Sequence, residues 1–286
     1  MDEDPGSDDS VVALKLETPP CKWEFYICEV LLGRLQDQYR TARFTNVKQL
    51  YLSQEASFMI TDLGDSGTLH ELLNMHRVKG QTLPEILAMF YAMDVFQMMH
   101  DLHSCKIIHA DIKPDNLLLR HPVSWDGWDH DDPLSWRIAG LKLIDFGRAI
   151  DLEALAPGTC FMAEFSHECL RCIEMQESRP WTYQVDAYGV AAVLHYMLYG
   201  EDIKVQCAIE SETGRNTYRL KNPFKRYWAC SLWEEVFSAL LNHNDLHSPP
   251  DWQRLTTLLH SHWLSAPLAR ELQTELRKQA ILLHED

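Results

Sequence analysis

The apolar, β-rich run from Val11 to Leu16, broken only by Lys15, predicts a strand. Thr18-Pro19-Pro20 ends it, because proline has no N–H to offer a ladder. Trp23, Ile27, Val30, Leu31 and Leu35 recur at spacings of three and four, so a helix is expected from about 22 to 37. Two β-prone runs follow, Val47 to Leu52 and Ser57 to Thr61, before Gly64 and Gly67 break the pattern.

From Leu69 the periodicity turns helical, with a long amphipathic segment from Pro84 to His103 and further helices near 184–199, 232–243, 252–264 and 268–284. Two short strands, Asn116 to Leu119 and Leu141 to Ile144, are expected to interrupt them. A small β-rich region followed by a larger helical one predicts an α+β fold of two lobes.

Of the 286 residues 46% are hydrophobic and 24% charged, enough to bury a sizeable core, so disorder throughout is excluded. The 26 Lys and Arg against 42 Asp and Glu give a net charge of -16, which argues against a basic face for nucleic acid. The longest uncharged apolar stretch, between Asp186 and Glu201, is shorter than the roughly 20 residues that span a bilayer. The start MDEDPGSDDS lacks the basic and apolar regions of a signal peptide and reads as a solvated acidic tail over 1–10; a cytosolic or nuclear protein is expected.

The eight cysteines are not spaced like a disulfide framework, and Cys169 and Cys172 lack the second pair that a structural zinc site needs. His100 and His103 read as satisfied histidines of a helix. The stretch 121–140 carries Asp126, Asp129, Asp131 and Asp132 among three tryptophans, an acidic insertion without the spacing of a calcium loop.

The chemistry concentrates in His109-Ala110-Asp111-Ile112-Lys113-Pro114-Asp115-Asn116 and, further on, Asp145-Phe146-Gly147. This ordered set resembles the catalytic loop and metal-binding motif of protein kinases. The resemblance implies that Asp111 orients the attacking hydroxyl, Lys113 faces the migrating phosphoryl group, and Asn116 and Asp145 hold Mg²⁺ on ATP. Upstream, Val12-Ala13-Leu14-Lys15 looks like the strand whose lysine pairs the ATP phosphates, with Glu24 as its partner. Thr61-Asp62-Leu63-Gly64 is the expected linker between lobes, where Asp62 and Gly64 bring backbone to the adenine edge. Glu174 and Asp186 match structural positions of such domains.

Four segments narrow the likeness: Trp23-Glu24-Phe25-Tyr26-Ile27, HADIKPDNLLL, LIDFGRAIDL and PWTYQVDAYGVAAVLHYMLYG. Together they resemble the kinase domain of the Bub family of mitotic checkpoint serine/threonine kinases. The resemblance implies a bilobal kinase-like fold, with a partial small lobe and linker over 11–64 and a large helical lobe over 65–286. It also implies ATP-dependent phosphorylation of protein substrates, a histone tail and checkpoint proteins, in the nucleus and at kinetochores. A Bub3-type adaptor would act through regions outside this chain.

The chain departs from that pattern in three ways. The glycine-rich loop should precede Lys15, yet the 14 residues before it hold only Gly6, so the phosphate-covering hairpin is expected to be absent and the remaining strands to have an uncovered apolar face. A fragment of a longer protein or a truncated gene product is the expectation. Ala110 stands where many kinases have an arginine that receives an activation-loop phosphate, so the segment 145–175 should be ordered by its own packing. Arg171-Cys172-Ile173-Glu174-Met175 keeps only the glutamate of Ala-Pro-Glu. Two alternatives stand beside an active kinase: a pseudokinase or scaffold lacking its lid, and a small-molecule phosphotransferase with the same HxDxxxxN skeleton.

Overall fold

A computed structural model describes residues 11–64, 66–120, 140–164, 171–209, 216–264 and 268–283. The expected acidic tail and nearly all of the acidic insertion lie outside the described residues.

Strand β1 (Val12–Glu17) alternates between two faces, with Ala13, Lys15 and Glu17 on the half-buried face and Val12, Leu14 and Leu16 exposed on the other. Helix α1 (Trp23–Leu35) buries Glu24, Ile27, Cys28, Leu31 and Leu35. It stops where Gln36 turns left-handed and its N–H bonds Leu32 O. After the short α2 (Gln38–Thr41), β2 (Val47–Leu52) and β3 (Ser57–Asp62) complete an antiparallel sheet in the order β1-β3-β2. Leu14 faces Ile60 and Leu16 faces Phe58 in the β1/β3 register. Leu14 and Leu16 are 61% and 58% exposed, the uncovered apolar face that the sequence predicts, and among the described residues no strand pairs with the outer edge of β1.

The chain crosses from the sheet to α3 (Leu69–Val78), whose start is fixed by a reciprocal capping box between Thr68 and Glu71. Helix α4 (Glu85–Ser104) is apolar almost all round and is therefore the buried axis of the large lobe. Short ladders lie beside it: β4 (Ile107–Ile108) pairs with β7 (Ile150–Asp151), and β5 (Leu117–Leu119) with β6 (Leu141–Leu143). After the single turn α5 (Ile173–Gln176), α6 (Gln184–Tyr199) is a second fully buried helix, ended by Gly200 at φ +71. Helices α7 (Cys230–Leu241), α8 (Trp252–Leu264) and α9 (Leu268–Leu283) finish the lobe, with α8 and α9 against α4 and α7 against α6. No helix among the described residues is long and apolar enough to cross a membrane.

The observed fold is the bilobal α+β architecture that the sequence predicts. One expectation is corrected. Besides the two predicted interruptions and the β-prone Ile107–Ile108 before the catalytic loop, the helical region contains the hairpin β8 (Val205–Ile209) and β9 (Asn216–Leu220), together with the two-residue strand β7. Such short runs carry no readable period; their pairing partners, 44 residues apart for Ile107 and Asp151, are a tertiary fact.

Candidate active site

The loop that carries Asp111 begins where β4 ends, and a 3-10 turn, Pro114–Asn116, leads it into β5. Ala110 takes φ +61, a left-handed conformation that costs a residue with a Cβ about 1–2 kcal/mol. Asp186 on α6 holds it there. Its carboxylate accepts from the N–H groups of His109 and Ala110, both at 2.8 Å, and lies 2.9 Å from His103 Nε2. Trp252 Nε1 donates to His103 Nδ1 at 2.9 Å, which places the His103 proton on Nε2, toward Asp186. His109, fully buried, accepts from the Asp111 N–H through Nδ1 and donates to Ile144 O through Nε2; burial holds its pKa below the ordinary imidazole value.

Asp111 is 4% exposed. Its Oδ2 accepts from Lys113 Nζ at 2.9 Å and Asn116 Nδ2 at 3.2 Å. Among the described residues its Oδ1 is buried without a hydrogen-bond partner, and Arg148 Nη1 lies 4.0 Å away. An acceptor left open in a buried site costs about 1–3 kcal/mol, so this oxygen is preorganised for a donor that arrives from outside, such as a hydroxyl group.

A second cluster joins the sheet to this loop. Lys15 Nζ on β1 lies 2.5 Å from Glu24 Oε2 on α1 and 2.9 Å from Asp145 Oδ1. Glu24 Oε1 accepts from the N–H of Phe146 at 3.1 Å. Burial raises the Glu24 pKa, and the Lys15 ammonium pulls it back. For Asp145 burial also acts upward, but the same ammonium outweighs it and holds the carboxyl below its ordinary range. Burial of Lys15 opposes its charge, yet its two carboxylate partners raise its pKa, so it stays protonated.

The residues fit ATP and a hard divalent cation. Asn116 commits Nδ2 to Asp111 O at 2.8 Å, which turns its amide oxygen away from that carboxylate, and Asp145 is ionised; both are oxygen donors of the type Mg²⁺ takes. At Gly64 a Cβ would lie 2.8 Å from Leu118 Cδ1, so a side chain there would require the end of Leu118 to move aside. Asp62 pairs with Lys48 at 3.2 Å and Lys142 at 3.5 Å, so its carboxylate is engaged by two cations.

The sequence-predicted residues thus gather in two adjoining groups, Lys15, Glu24 and Asp145, and Asp111, Lys113 and Asn116. Asp62 and Gly64 bond to neither. Arg148, Gly189 and the contacts of Asp151 escape sequence reasoning. Arg148 has a weak signal, its position directly after Asp145-Phe146-Gly147; Gly189 shows itself only in space, because a Cβ there would lie 2.8 Å from Ile112 Cβ and 3.0 Å from Ile112 O. Beyond Lys113 the loop borders a groove of about 860 Å³ whose lining includes Arg77, Asp115, Arg171, Tyr196 and Asp202.

A small sheet with one helix, a helical lobe, and a lysine–glutamate pair facing a buried aspartate and two metal-type ligands define a protein kinase domain. The protein kinase domain model matches residues 33–256. The chain is 35% identical over 280 residues to the mitotic checkpoint serine/threonine-protein kinase BUB1 of Arabidopsis thaliana, across 96% of this chain and 53% of that protein. It is 36% identical over 244 residues to the spindle assembly checkpoint serine/threonine-protein kinase bub1 of Schizosaccharomyces pombe, across 82% of this chain and 23% of that protein. The crystal structure of the BubR1 kinase domain superposes with a TM-score of 0.83 at 30% identity, over 95% of this chain and 77% of that one. The granulovirus kinase PK-1, with a TM-score of 0.59 at 15% identity, shares the fold. The chain belongs to the protein kinase domain family, within its Bub1/BubR1 group. It spans about half the length of the Arabidopsis relative and about a quarter of the fission-yeast one.

Proposed function

We propose that this chain is an ATP- and Mg²⁺-dependent serine/threonine protein kinase domain with a role in the mitotic spindle checkpoint. The observation that carries the proposal is Asp111 Oδ1, buried, unpaired, and set in one carboxylate with an oxygen already held by Lys113 and Asn116. When bound, Mg-ATP supplies the transferable phosphoryl group. Asp111 orients the substrate hydroxyl and takes its proton at Oδ1. Lys113 places a cation beside the developing charge, a contribution realised in the transition state. Lys15 engages phosphate oxygens while Glu24 fixes its position, and Asn116 and Asp145 hold the metal.

The names of the relatives support a checkpoint role. Protein substrates such as a histone tail and checkpoint proteins, action in the nucleus at kinetochores, and association with a Bub3-type adaptor are part of the same proposal. The test is phosphotransfer from labelled Mg-ATP to a core histone, with Asp111→Asn as the paired control. Transfer that disappears in the control supports the kinase. A melting temperature that rises with Mg-ATP in a chain that transfers nothing would favour the scaffold reading.

A further inference from the structure

Lys15 and Glu24 meet only while α1 keeps its place, yet α1 belongs to a small lobe in whose sheet, among the described residues, no strand pairs with the outer edge of β1. Something on the large lobe must therefore fix the helix. Ala110 offers no charge through which a phosphorylated segment could do so.

Three side chains on one side of α1 reach the start of the segment that follows Asp145. Trp23 Nε1 donates to Ala149 O at 2.8 Å. Tyr26 Oη donates to Asp151 Oδ2 at 2.9 Å. Arg34 grips the same carboxylate with both terminal nitrogens, Nη1 to Oδ1 at 2.8 Å and Nη2 to Oδ2 at 2.9 Å, and its Nη1 also donates to Cys105 O at 2.7 Å. The Glu153 N–H adds a fourth donor to Asp151 at 3.0 Å. Asp151 is 2% exposed, and its own backbone is pinned because β7 pairs Asp151 with Ile107, two residues before His109. A bidentate arginine–carboxylate pair fixes angle as well as distance. Asp151 therefore couples the backbone of the catalytic loop to α1, and α1 presents Glu24 to Lys15.

We infer that Asp151, through Tyr26 and Arg34, is a positioning residue that holds α1 in its catalytic place without phosphorylation of the segment. The inference rests on the kinase reading for its effect on rate, while the placement of α1 can be measured without it.

The experiment uses the full chain and compares the parent with Asp151→Asn, which keeps the shape, Tyr26→Phe, and Arg34→Lys, which keeps the charge but loses the fork. Phosphotransfer gives kcat and the KM for ATP, and hydrogen exchange reports α1 separately from α4 and α6. Asp151→Asn should lower kcat by roughly 10- to 100-fold, the scale of a small misplacement, and raise the KM for ATP. Its α1 amides should exchange at least about tenfold faster while α4 and α6 keep their protection. Arg34→Lys should fall between parent and Asp151→Asn, and Tyr26→Phe should lose least. Unchanged α1 exchange in Asp151→Asn would overturn the inference, and so would equal losses of protection in α1, α4 and α6, which mark a residue of general stability. If the parent transfers no phosphate, the kinase reading fails and α1 exchange still decides the clamp.

Discussion

The buried carboxylate of Asp186 bonds His103 Nε2 at 2.9 Å while it holds the N–H groups of two successive residues of the catalytic loop. Trp252, far along the chain on α8, orients that histidine from its other nitrogen. The loop geometry therefore depends on three helices, α4, α6 and α8. Hydrogen bonds to a charged group contribute about 1.5–3 kcal/mol each. Asp186→Asn turns an acceptor into a partial donor facing three donors, so thermal denaturation should show a loss of roughly 3 kcal/mol or more, with phosphotransfer reduced further than the folded fraction explains. Trp252→Phe removes one bond and should cost about 1–3 kcal/mol.

Asp111→Asn preserves shape and the contacts to Lys113 and Asn116 but removes the proton acceptor. The rate of phosphotransfer should fall about 10²- to 10⁴-fold, while Mg-ATP still raises the melting temperature. An unchanged rate would remove Asp111 from the chemistry.

Glu24→Gln leaves Lys15 with Asp145 and, at 4.0 Å, Glu17, and places a neutral amide where the buried carboxylate stood. ATP affinity, read by titration calorimetry, should weaken about tenfold or more, since Lys15 then loses the charged partner on α1 that shares it with Asp145. Equal affinity in the variant would show that the pair does not position Lys15.

Two glycines give opposite outcomes for the same substitution. Gly189→Ala pushes a Cβ into Ile112, so α6 or the catalytic loop must shift; the cost should be about 1–3 kcal/mol, with a fall in kcat. Gly33, in the interior of α1, has no atom within 4 Å of the added Cβ, so Gly33→Ala should stabilise by about 0.5–1 kcal/mol. Paired denaturation curves check both signs.

Asp94 on α4 is buried against Arg43, at 3.2 Å, and accepts the N–H of Leu141 at 2.8 Å. Burial pushes its pKa up to about 6, although Arg43 acts downward. The folded value lies above the unfolded one, near 3.9, so the folded state binds the proton more tightly. Its contribution is fully present below about pH 4 and is lost as pH rises through about 6, on the order of 3 kcal/mol in all. Asp94→Asn should flatten the stability profile between pH 4 and 6; a profile as steep as that of the parent would reject the assignment.

The order of elements and the site motif were legible in the amino-acid sequence because they are local. The β-rich run at Val12–Glu17, the periodic apolar face of α1, the largely apolar α4 and α6, and the run from His109 to Asn116 each declare themselves within a few turns of chain. The roles proposed for Asp111 and Asp145 came from the resemblance of these motifs to protein kinases. What no pattern could supply is the company these residues keep. Asp151 looks like any loop aspartate until folding sets it beside Arg34, 117 positions away, and Gly189 looks like a flaw in a helix until Ile112 lies against it. The reason is physical: secondary structure follows from interactions within a few residues, whereas a buried charge, an open acceptor or a missing Cβ acquires meaning only from atoms that the tertiary fold brings within bonding distance.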